Sequence, residues 1–296
     1  MDQAKPILYW NRKTGKVEQE QVYGDAGISF LYQTKVGNAV ADLFMSKKLP
    51  SRLYGLYQSS QWSRHKIENF IRDYRIDMSE FEPGPFDSFN DFFIRGFRPG
   101  ARQFVRVPNV MAAFAEARYL AYESIGLDQT FPVKGSCLTP EALLGNSKLA
   151  TRFNGGPLLL ARLCPTDYHR FHYLDGGTTE AHYGVPGALH SVNPHALEYK
   201  SEIFCTNERR VSLLQTENFG VIAYVEVGAM AVGKIVQTHP ADRSFSRGDE
   251  KGYFLFGAST VIVFGEKGKW IPSRDLLEQS AQRRETLVRL GEPVTD

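Results

Sequence analysis

The strongest constraint on the fold is a set of short, mostly apolar runs in the second half of the chain. They cover residues 158–163, 221–227 and 261–264, and glycines lie close to them. Runs of this length without polar alternation are typical of strands buried on both faces of a sheet or inside a barrel. A chain of 296 residues can bury such a core within one large domain. The sequence therefore predicts a β-rich core after Gly155.

The part of the chain before residue 85 follows other periodicities. Residues 7–10 and 16–22 flank a turn at Gly15, which predicts a hairpin. From residue 28 to residue 74, apolar side chains recur at helical spacing with lysines and arginines between them. That stretch fits either a helix pair packed on its own domain or an amphipathic surface that lies on a membrane. The predicted fold class is α+β, a β-rich core with N-terminal amphipathic helices.

Helix start signals occur at two further places. Ser88 is followed by Asp91, which resembles a capping box and predicts a short helix. Thr139 and Pro140 predict a second helix, which Gly145 ends. The last stretch, residues 273–290, is charged and is consistent with a helix.

Composition argues against several classes of protein. The formal net charge is only +2, so the dense basic surface of a nucleic-acid-binding protein is not expected. The three cysteines, Cys137, Cys164 and Cys205, form no Cys-x-x-Cys pair, which argues against a zinc ribbon or a redox pair. The first residues lack the apolar segment of a signal peptide, and no run reaches the ~18 apolar residues of a membrane span. If the protein contacts lipid, we expect it to lie on the membrane.

One histidine-rich segment has residues suited to proton transfer. Residues 162–172 contain His169 and His172, three positions apart, after a turn signal at Pro165 and Thr166. Histidine is the side chain best suited to move protons near neutral pH, although a structural pair or a metal site are the alternatives. The other histidines that a metal site could use are His182, His190 and His195. They lie at no recognised ligand spacing, so no metal site is predicted.

A second segment places small residues directly before a strand. Gly257, Ala258, Ser259 and Thr260 precede the apolar run at 261–264. Alone, this is an ordinary strand entry that identifies no chemistry. Its importance depends on the motifs that accompany it.

Seven motifs follow one another along the chain. They are Phe-Asn-Asp-Phe-Phe-Ile-Arg at 89–95 with Pro99 and Arg102, Phe-Pro-Val-Lys-Gly at 131–135 with Leu-Leu-Gly at 143–145, Asp-Tyr-His-Arg-Phe-His at 167–172, Ser-Val-Asn-Pro at 191–194, Asn-Glu-Arg at 207–209, Val-Glu-Val-Gly-Ala at 225–229 with Val-Gly at 232–233, and the segment 251–260. Together they resemble the pyruvoyl-dependent phosphatidylserine decarboxylase family in its bacterial form. The resemblance implies a hairpin and helical membrane-facing region at 1–85 and a catalytic domain at 86–296.

The resemblance implies a lyase that converts phosphatidylserine to phosphatidylethanolamine and CO2. Decarboxylation needs an electron sink, which in this family is a pyruvoyl group made from a serine of the chain. Here the hydroxyl of Ser259 would attack the carbonyl of Ala258, the ester would eliminate, and residue 259 would hydrolyse to pyruvoyl. By the same likeness His172 would be the base for Ser259, Glu116 would orient His172, and His169 would serve decarboxylation.

The resemblance also implies partners and a location. The substrate would be phosphatidylserine in an anionic membrane, and the small fragment 259–296 would remain a partner of the larger one after cleavage. A peripheral protein on the cytoplasmic face of the cell membrane is expected, without nucleic acid. A homodimer is left open.

The sequence departs from the family pattern at three positions. Glu116 replaces an aspartate, Ala117 replaces the glycine after it, and Ala258 replaces the usual glycine before the serine. None of these changes removes a group that the mechanism needs, but together they could slow self-cleavage. One alternative is therefore a family member that binds lipid but self-processes poorly or not at all. Another, a serine hydrolase using Ser259, His172 and Glu116, lacks the Gly-x-Ser-x-Gly elbow.

Overall fold

The computed structural model describes residues 6–20, 48–126, 139–190, 203–229, 234–256 and 259–296. Its strands, in chain order, are β1 (Leu8–Asn11), β2 (Lys16–Gln19), β3 (Ala117–Tyr122), β4 (Leu158–Leu163), β5 (Arg170–His172), β6 (Gly177–Val185), β7 (Arg209–Thr216), β8 (Val221–Val227), β9 (Ile235–Gln237), β10 (Glu250–Phe254), β11 (Ser259–Gly265) and β12 (Glu285–Val288). A nine-stranded sheet has the order β2-β1-β12-β3-β4-β11-β8-β7-β6, and a three-stranded sheet has the order β5-β10-β9.

The centre of the large sheet consists of the strands that the apolar runs predicted. β11 lies between β4 and β8 and is antiparallel to both. Every residue of β4 and β8 is buried, because both faces of the sheet are covered by other elements. The predicted strands at 158–163, 221–227 and 261–264 are confirmed, and so is the α+β class with its β-rich core.

Short capped helices connect these strands. The helices of the described residues are α1 (Lys48–Gln58), α2 (Lys66–Tyr74), α3 (Phe89–Phe93), α4 (Pro140–Leu144), α5 (Ser147–Arg152), α6 (Ile203–Thr206) and α7 (Arg274–Ala281). The Ser88 hydroxyl accepts a hydrogen bond from the Asp91 N–H, and the Thr139 hydroxyl accepts one from the Ala142 N–H. Gly145 ends α4 at φ +62°. Both predicted helix starts are confirmed.

The large sheet carries a different layer on each face. On one face, β8 and β11 pack against α4 and α6 in a mainly aliphatic core that includes Ile262 and Leu143, with Phe204 among its few aromatic side chains. On the other face, they pack against the small sheet in a layer rich in aromatic side chains, including Phe171 and Tyr224. β10 of the small sheet is followed in the chain by β11 of the large one.

Close approach of β10 to its neighbours requires a glycine. A Cβ atom built on Gly252 would lie 2.1 Å from the carbonyl oxygen of Val236 and 2.8 Å from the ring of Phe171. No larger residue fits there without moving β9 or the aromatic layer.

The N-terminal hairpin belongs to the large sheet. β1 and β2 pair in antiparallel fashion, with Gly15 at φ +63°, which confirms the predicted hairpin. β1 also pairs with β12 in parallel. Residues 28–47 of the predicted amphipathic stretch lie outside the described residues, so the amphipathic pair and the division at residue 85 stay predictions. No helix in the described part is long and apolar enough to cross a membrane.

The C-terminal segment differs from its expected helix. α7 ends at Ala281, and Arg283 takes a left-handed conformation with φ 57°. The chain then enters the large sheet as β12, between β1 and β3. Thr286 and Val288 alternate inward there, a two-residue period that the surrounding charges concealed.

Candidate active site

The predicted cleavage point lies where the chain passes from the small sheet to the large one. β10 ends at Phe254, and β11 begins at Ser259, which is paired in register with Leu163 of β4. From Thr260 onward the strand is also paired with β8. The backbone of Ser259 is thus anchored at the entrance of a central strand, whereas Ala258 lies outside the described residues.

The segment before the cleavage point is held by α3. The Phe256 N–H donates a hydrogen bond to Oδ1 of Asn90 at 2.9 Å. The ring centroid of Phe256 lies 5.1 Å from those of both Phe89 and Phe93. All three partners belong to α3, so this helix positions the polypeptide that leads to the predicted cleavage point.

His169 lies against the same aromatic cluster. Its ring is fully buried, and its centroid is 3.8 Å from that of Phe93. Nδ1 lies 3.0 Å from the carbonyl oxygen of Asp167, which can only accept, so Nδ1 carries the proton in the neutral ring. Nε2 is buried without a hydrogen-bond partner in the described part of the chain. Burial lowers the pKa of His169 to about 3, which leaves a neutral ring with a bare lone pair on Nε2.

The backbone of His169 is joined to β10. The Phe254 N–H donates a hydrogen bond to the carbonyl oxygen of His169 at 2.9 Å. The histidine is therefore fixed to the strand that leads into the cleavage segment. Its aromatic surroundings exclude water, which strengthens electrostatic interactions there.

His172, the last residue of β5, has both ring nitrogens engaged. Nδ1 lies 2.9 Å from the carbonyl oxygen of Gly248 and therefore donates to it. Nε2 lies 3.0 Å from the Tyr168 hydroxyl, which donates to the remaining lone pair. Burial lowers the pKa of His172 below its ordinary value. The ring is neutral and oriented, with its basic nitrogen occupied by Tyr168.

The Glu116 carboxylate makes no hydrogen bond to either ring nitrogen of His172, which have other partners. Its carboxylate accepts hydrogen bonds from Nε and Nη2 of Arg102 at 2.5 and 2.7 Å, and from the Leu290 N–H at 3.2 Å. Since both nitrogens of His172 have other partners, the structure does not bring these two predicted residues together. The orienting role of Glu116 stays a prediction.

A packed path nevertheless connects Glu116 to His172. The Arg102 guanidinium lies 4.0 Å from the ring centroid of Phe97, and Phe97 lies 4.3 Å from the ring of Tyr168. Tyr168 then reaches Nε2 of His172. A second link runs through the backbone, because the His172 N–H donates a hydrogen bond at 2.8 Å to the carbonyl oxygen of Phe114, which lies close to Glu116 in the chain.

Comparison with known proteins identifies the family. A model of the phosphatidylserine decarboxylase family matches residues 89–295. The phosphatidylserine decarboxylase proenzyme of Clostridium tetani is 42% identical over 290 residues, which cover 97% of this chain and 97% of that protein. Those of Clostridium kluyveri and Clostridium botulinum strain Kyoto are 41% and 40% identical, each over 97% of this chain and 98% of the relative. The chain belongs to the phosphatidylserine decarboxylase family.

Membership in the phosphatidylserine decarboxylase family confirms the resemblance drawn from the motifs. The segments at 89–95, 167–172 and 251–256 meet around His169. The motif segments at 131–135, 191–194 and 232–233 lie outside the described residues. His195 also lies outside them. Among the described residues, His182 and His190 belong to no group of three or more side chains that could hold a metal ion.

A buried charge network beside β11 was not predicted. Arg162, in register with Thr260, ion-pairs with Glu20 at 2.6 Å and with Glu285 at 2.5 Å. Arg118 ion-pairs with Glu20 at 3.0 Å. Burial opposes ionisation of Glu20, but the two guanidinium groups lower its pKa to about 2. Arginines inside apolar strand patterns were the available signal, because a buried charge requires a partner.

A second unpredicted pair joins the two sheets. The Lys251 ammonium lies 2.5 Å from Oε1 of Glu226 and 2.8 Å from Oε1 of Gln237. Lys251 and Glu226 are buried. Glu226 is in register with Val261 of β11. The pair therefore fixes β10 to the large sheet close to the strand that Ser259 begins.

Proposed function

We propose that this chain is a phosphatidylserine decarboxylase that is made as a precursor and cuts itself between Ala258 and Ser259. It converts phosphatidylserine to phosphatidylethanolamine and CO2. One observation carries the proposal: a fully buried, neutral His169 with a bare Nε2, packed against the segment that leads into Ser259. Such a nitrogen is costly to bury and is typical of catalytic sites.

Self-cleavage requires one acceptor for the serine proton. The Ser259 hydroxyl attacks the carbonyl carbon of Ala258, the C–N bond breaks, and an ester forms in its place. Elimination then releases the carboxylate of Ala258 and leaves a dehydroalanine, which hydrolyses with loss of ammonia to a pyruvoyl group. His172 is the base in this proposal, and Tyr168 must release its Nε2 before it can accept the proton.

The residues that hold the segment leading to position 259 fit a pyruvoyl group and its reaction. The group supplies an electron sink for the electrons left when CO2 departs. The unpartnered Nε2 of His169 takes the proton that the substrate ammonium must lose before it can react, and returns it to carbon after CO2 has left. Burial of the His169 ring against Phe93 limits access of water to this nitrogen.

Mass spectrometry of the purified protein tests this function. We expect a large fragment that ends at Ala258 and a small one that begins with a pyruvoyl group at position 259. Ser259→Ala should leave a single chain of 33.4 kDa. His172→Ala should stop cleavage, whereas His169→Ala should cleave but decarboxylate slowly. A parent chain that stays intact on prolonged incubation while still binding phosphatidylserine vesicles would favour the lipid-binding alternative.

The membrane part of the proposal has support in an exposed apolar patch. Leu53 and Leu56 of α1 are 60% and 63% exposed, and Trp62, in the turn Gln61–His65 that contacts α1, is 82% exposed. Large exposed apolar side chains that cluster are typical of interaction surfaces. Arg64 and Lys66 follow them closely and favour an anionic lipid surface. We assign this patch to phosphatidylserine-bearing membrane at the cytoplasmic face.

Vesicle sedimentation of the Ser259→Ala chain tests the patch without consuming substrate. We expect binding to phosphatidylcholine vesicles that contain phosphatidylserine, and release at high salt. The double variant Leu56→Ala, Trp62→Ala should lose binding. Ile271→Ala, which removes an aliphatic side chain that is 52% exposed elsewhere, is the matched control. Equal binding by the double variant and the control would remove the patch from the proposal.

A further inference from the structure

Arg95 is a buried guanidinium without a carboxylate partner. It follows Ile94, the C-cap of α3, and is 2% exposed. Its guanidinium lies 4.3 Å from the ring centroid of Phe81 and 4.7 Å from that of Phe92. In the described part of the chain, no acidic side chain lies within ion-pair distance of it. A buried charge of this kind is destabilising unless other contacts compensate, so its placement calls for a specific reason.

The hydrogen bonds of Arg95 go to backbone carbonyl groups of the histidine loop. Nη2 donates to the carbonyl oxygen of Thr166 at 2.8 Å and to that of Asp167 at 3.4 Å. Nη1 donates to the carbonyl oxygen of Phe92 at 3.4 Å. The carbonyl of Asp167 is also the acceptor for Nδ1 of His169. One carbonyl oxygen therefore receives both the guanidinium and the imidazole.

This shared acceptor determines the state of the imidazole. Because the carbonyl of Asp167 can only accept, His169 keeps its proton on Nδ1 and presents Nε2 as a lone pair. Because Arg95 is positively charged, a second proton on His169 is disfavoured beyond the effect of burial. The other charged groups around the loop are already paired: the Asp167 carboxylate with Arg118 at 2.7 Å, and Arg170 with Glu250 at 2.8 Å.

We propose that Arg95 is a positioning residue for His169: it fixes the Asp167 carbonyl so that His169 remains neutral, in the single tautomer whose Nε2 can take a proton. This inference rests on the proposed role of His169 in decarboxylation. Lysine cannot replace Arg95, because a planar guanidinium can donate to two carbonyl groups while it packs against two rings, and an ammonium group cannot. Arg95 acts through His169 and the loop, and it makes no contact with reacting atoms in this assignment.

Nitrogen-15 NMR of histidine in the uncleaved Ser259→Ala chain tests the proposal without catalytic turnover. The chain has seven histidines, and His169→Gln identifies the signal of His169. With Arg95 present, we expect a pure Nδ1–H tautomer that does not titrate between pH 8 and pH 5. In Arg95→Met and Arg95→Lys, we expect a mixture of tautomers. In Arg95→Met, which removes the charge, His169 should also titrate at higher pH.

A neighbouring arginine supplies the matched control. Arg98 donates through Nε to the carbonyl oxygen of Phe81 at 2.7 Å, and in the described part of the chain its side chain makes no hydrogen bond to Thr166 or Asp167. Arg98→Met should leave the His169 signal unchanged. If Arg95→Met does not fold, Arg95→Lys decides, because it keeps the charge and loses only the fork. A folded Arg95→Lys chain with the parent's pure tautomer overturns the proposal.

Kinetics in chains that retain Ser259 separate this inference from the proposed function. Arg95→Lys should still self-cleave, because the contacts of His172 are untouched, and its kcat for decarboxylation should fall about tenfold with little change in KM. A rise in KM with an unchanged kcat would contradict a role through His169. So would a loss of self-cleavage alone. Full decarboxylation by His169→Gln would overturn the functional role of both residues, whatever the tautomer measurement shows.

Discussion

Replacing Tyr168 with phenylalanine tests how His172 is held before cleavage. The Tyr168 hydroxyl donates to Nε2 of His172 at 3.0 Å, while Nδ1 donates to the carbonyl of Gly248 at 2.9 Å. The substitution removes only the bond to the basic lone pair and keeps the ring, which is stacked on His172 at 5.8 Å. A hydrogen bond to the lone pair stabilises the neutral imidazole, so its loss should raise the pKa of His172.

The size of the effect follows from one buried hydrogen bond. A neutral bond of this kind contributes about 1 kcal/mol net, which corresponds to a rise of about 0.7 in the pKa of His172. The same free energy no longer opposes release of Nε2, so self-cleavage above that pKa should be up to about fivefold faster. The pH at half-maximal cleavage should move upward by the same fraction of a unit.

A time course of fragment formation between pH 5 and pH 8 measures both effects. NMR titration of His172 in the Ser259→Ala background measures the pKa directly. Tyr183→Phe is the matched control, because that hydroxyl donates to the carbonyl of Leu144 at 2.8 Å, away from the site histidines. Cleavage that is slower by tenfold or more in Tyr168→Phe, with an unchanged pKa of His172, would refute this reasoning and indicate that Tyr168 relays the proton.

Three further substitutions address the surrounding charges. Glu116→Gln should leave Glu80 as the charged partner of Arg102, so we expect urea titration to show a loss of about 1–3 kcal/mol in the free energy of unfolding. Fragment formation should also slow. Glu116→Asp should retain part of the stability and part of the cleavage rate. Lys251→Met should lower the free energy of unfolding by about 3–5 kcal/mol, because it leaves the Glu226 carboxylate buried and without its cation. In the same titration, the double variant Lys251→Met, Glu226→Gln should recover most of that stability. The pKa of Glu20 is lowered from 4.5 to about 2, so above pH 4.5 its ionisation contributes about 3 kcal/mol to the free energy of unfolding. That contribution is lost as the pH falls toward 2. Glu20→Gln should therefore make the free energy of unfolding less dependent on pH between 4.5 and 2.

The strands at the centre of the fold could be predicted because burial on both faces leaves a simple signature. β4, β8 and β11 read as nearly continuous apolar runs, and the two charged residues within them, Arg162 and Glu226, turn out to be paired. Helix caps were equally local: Ser88 and Thr139 need only the backbone N–H groups a few residues ahead. Features set within one turn or one strand are encoded within that stretch of sequence.

Partners that come from distant segments could not be predicted in the same way. His172 takes Gly248 as its Nδ1 acceptor, a residue that is brought in by β10 and has no motif signature of its own. Glu116, whose orienting role toward His172 stays a prediction, accepts a hydrogen bond from the N–H of Leu290, which is 174 positions away in the chain. β12 was missed because its pairing with β1 and β3, rather than its own composition, makes it a strand.

The position of residues 259–296 in the large sheet leads to a last prediction. Residues 259–296 contribute β11, which lies between β4 and β8, and β12, which lies between β1 and β3. Each of these strands is hydrogen-bonded on both sides to strands of the large fragment. Breaking one peptide bond before Ser259 removes none of those ladders, and most of the buried apolar surface of β11 remains buried.

Cleavage should therefore nick the protein without dividing it. On native size-exclusion chromatography, we expect the cleaved protein to elute with the intact Ser259→Ala chain, and its two fragments to separate only in denaturant. Dissociation should require unfolding of the large sheet. Removal of β11 would expose the hydrogen-bonding edges of β4 and β8, and it would leave a cavity where its apolar side chains pack between the two sheets. If the fragment 259–296 elutes separately under native conditions, then β11 and β12 are not held in the sheet as this arrangement requires.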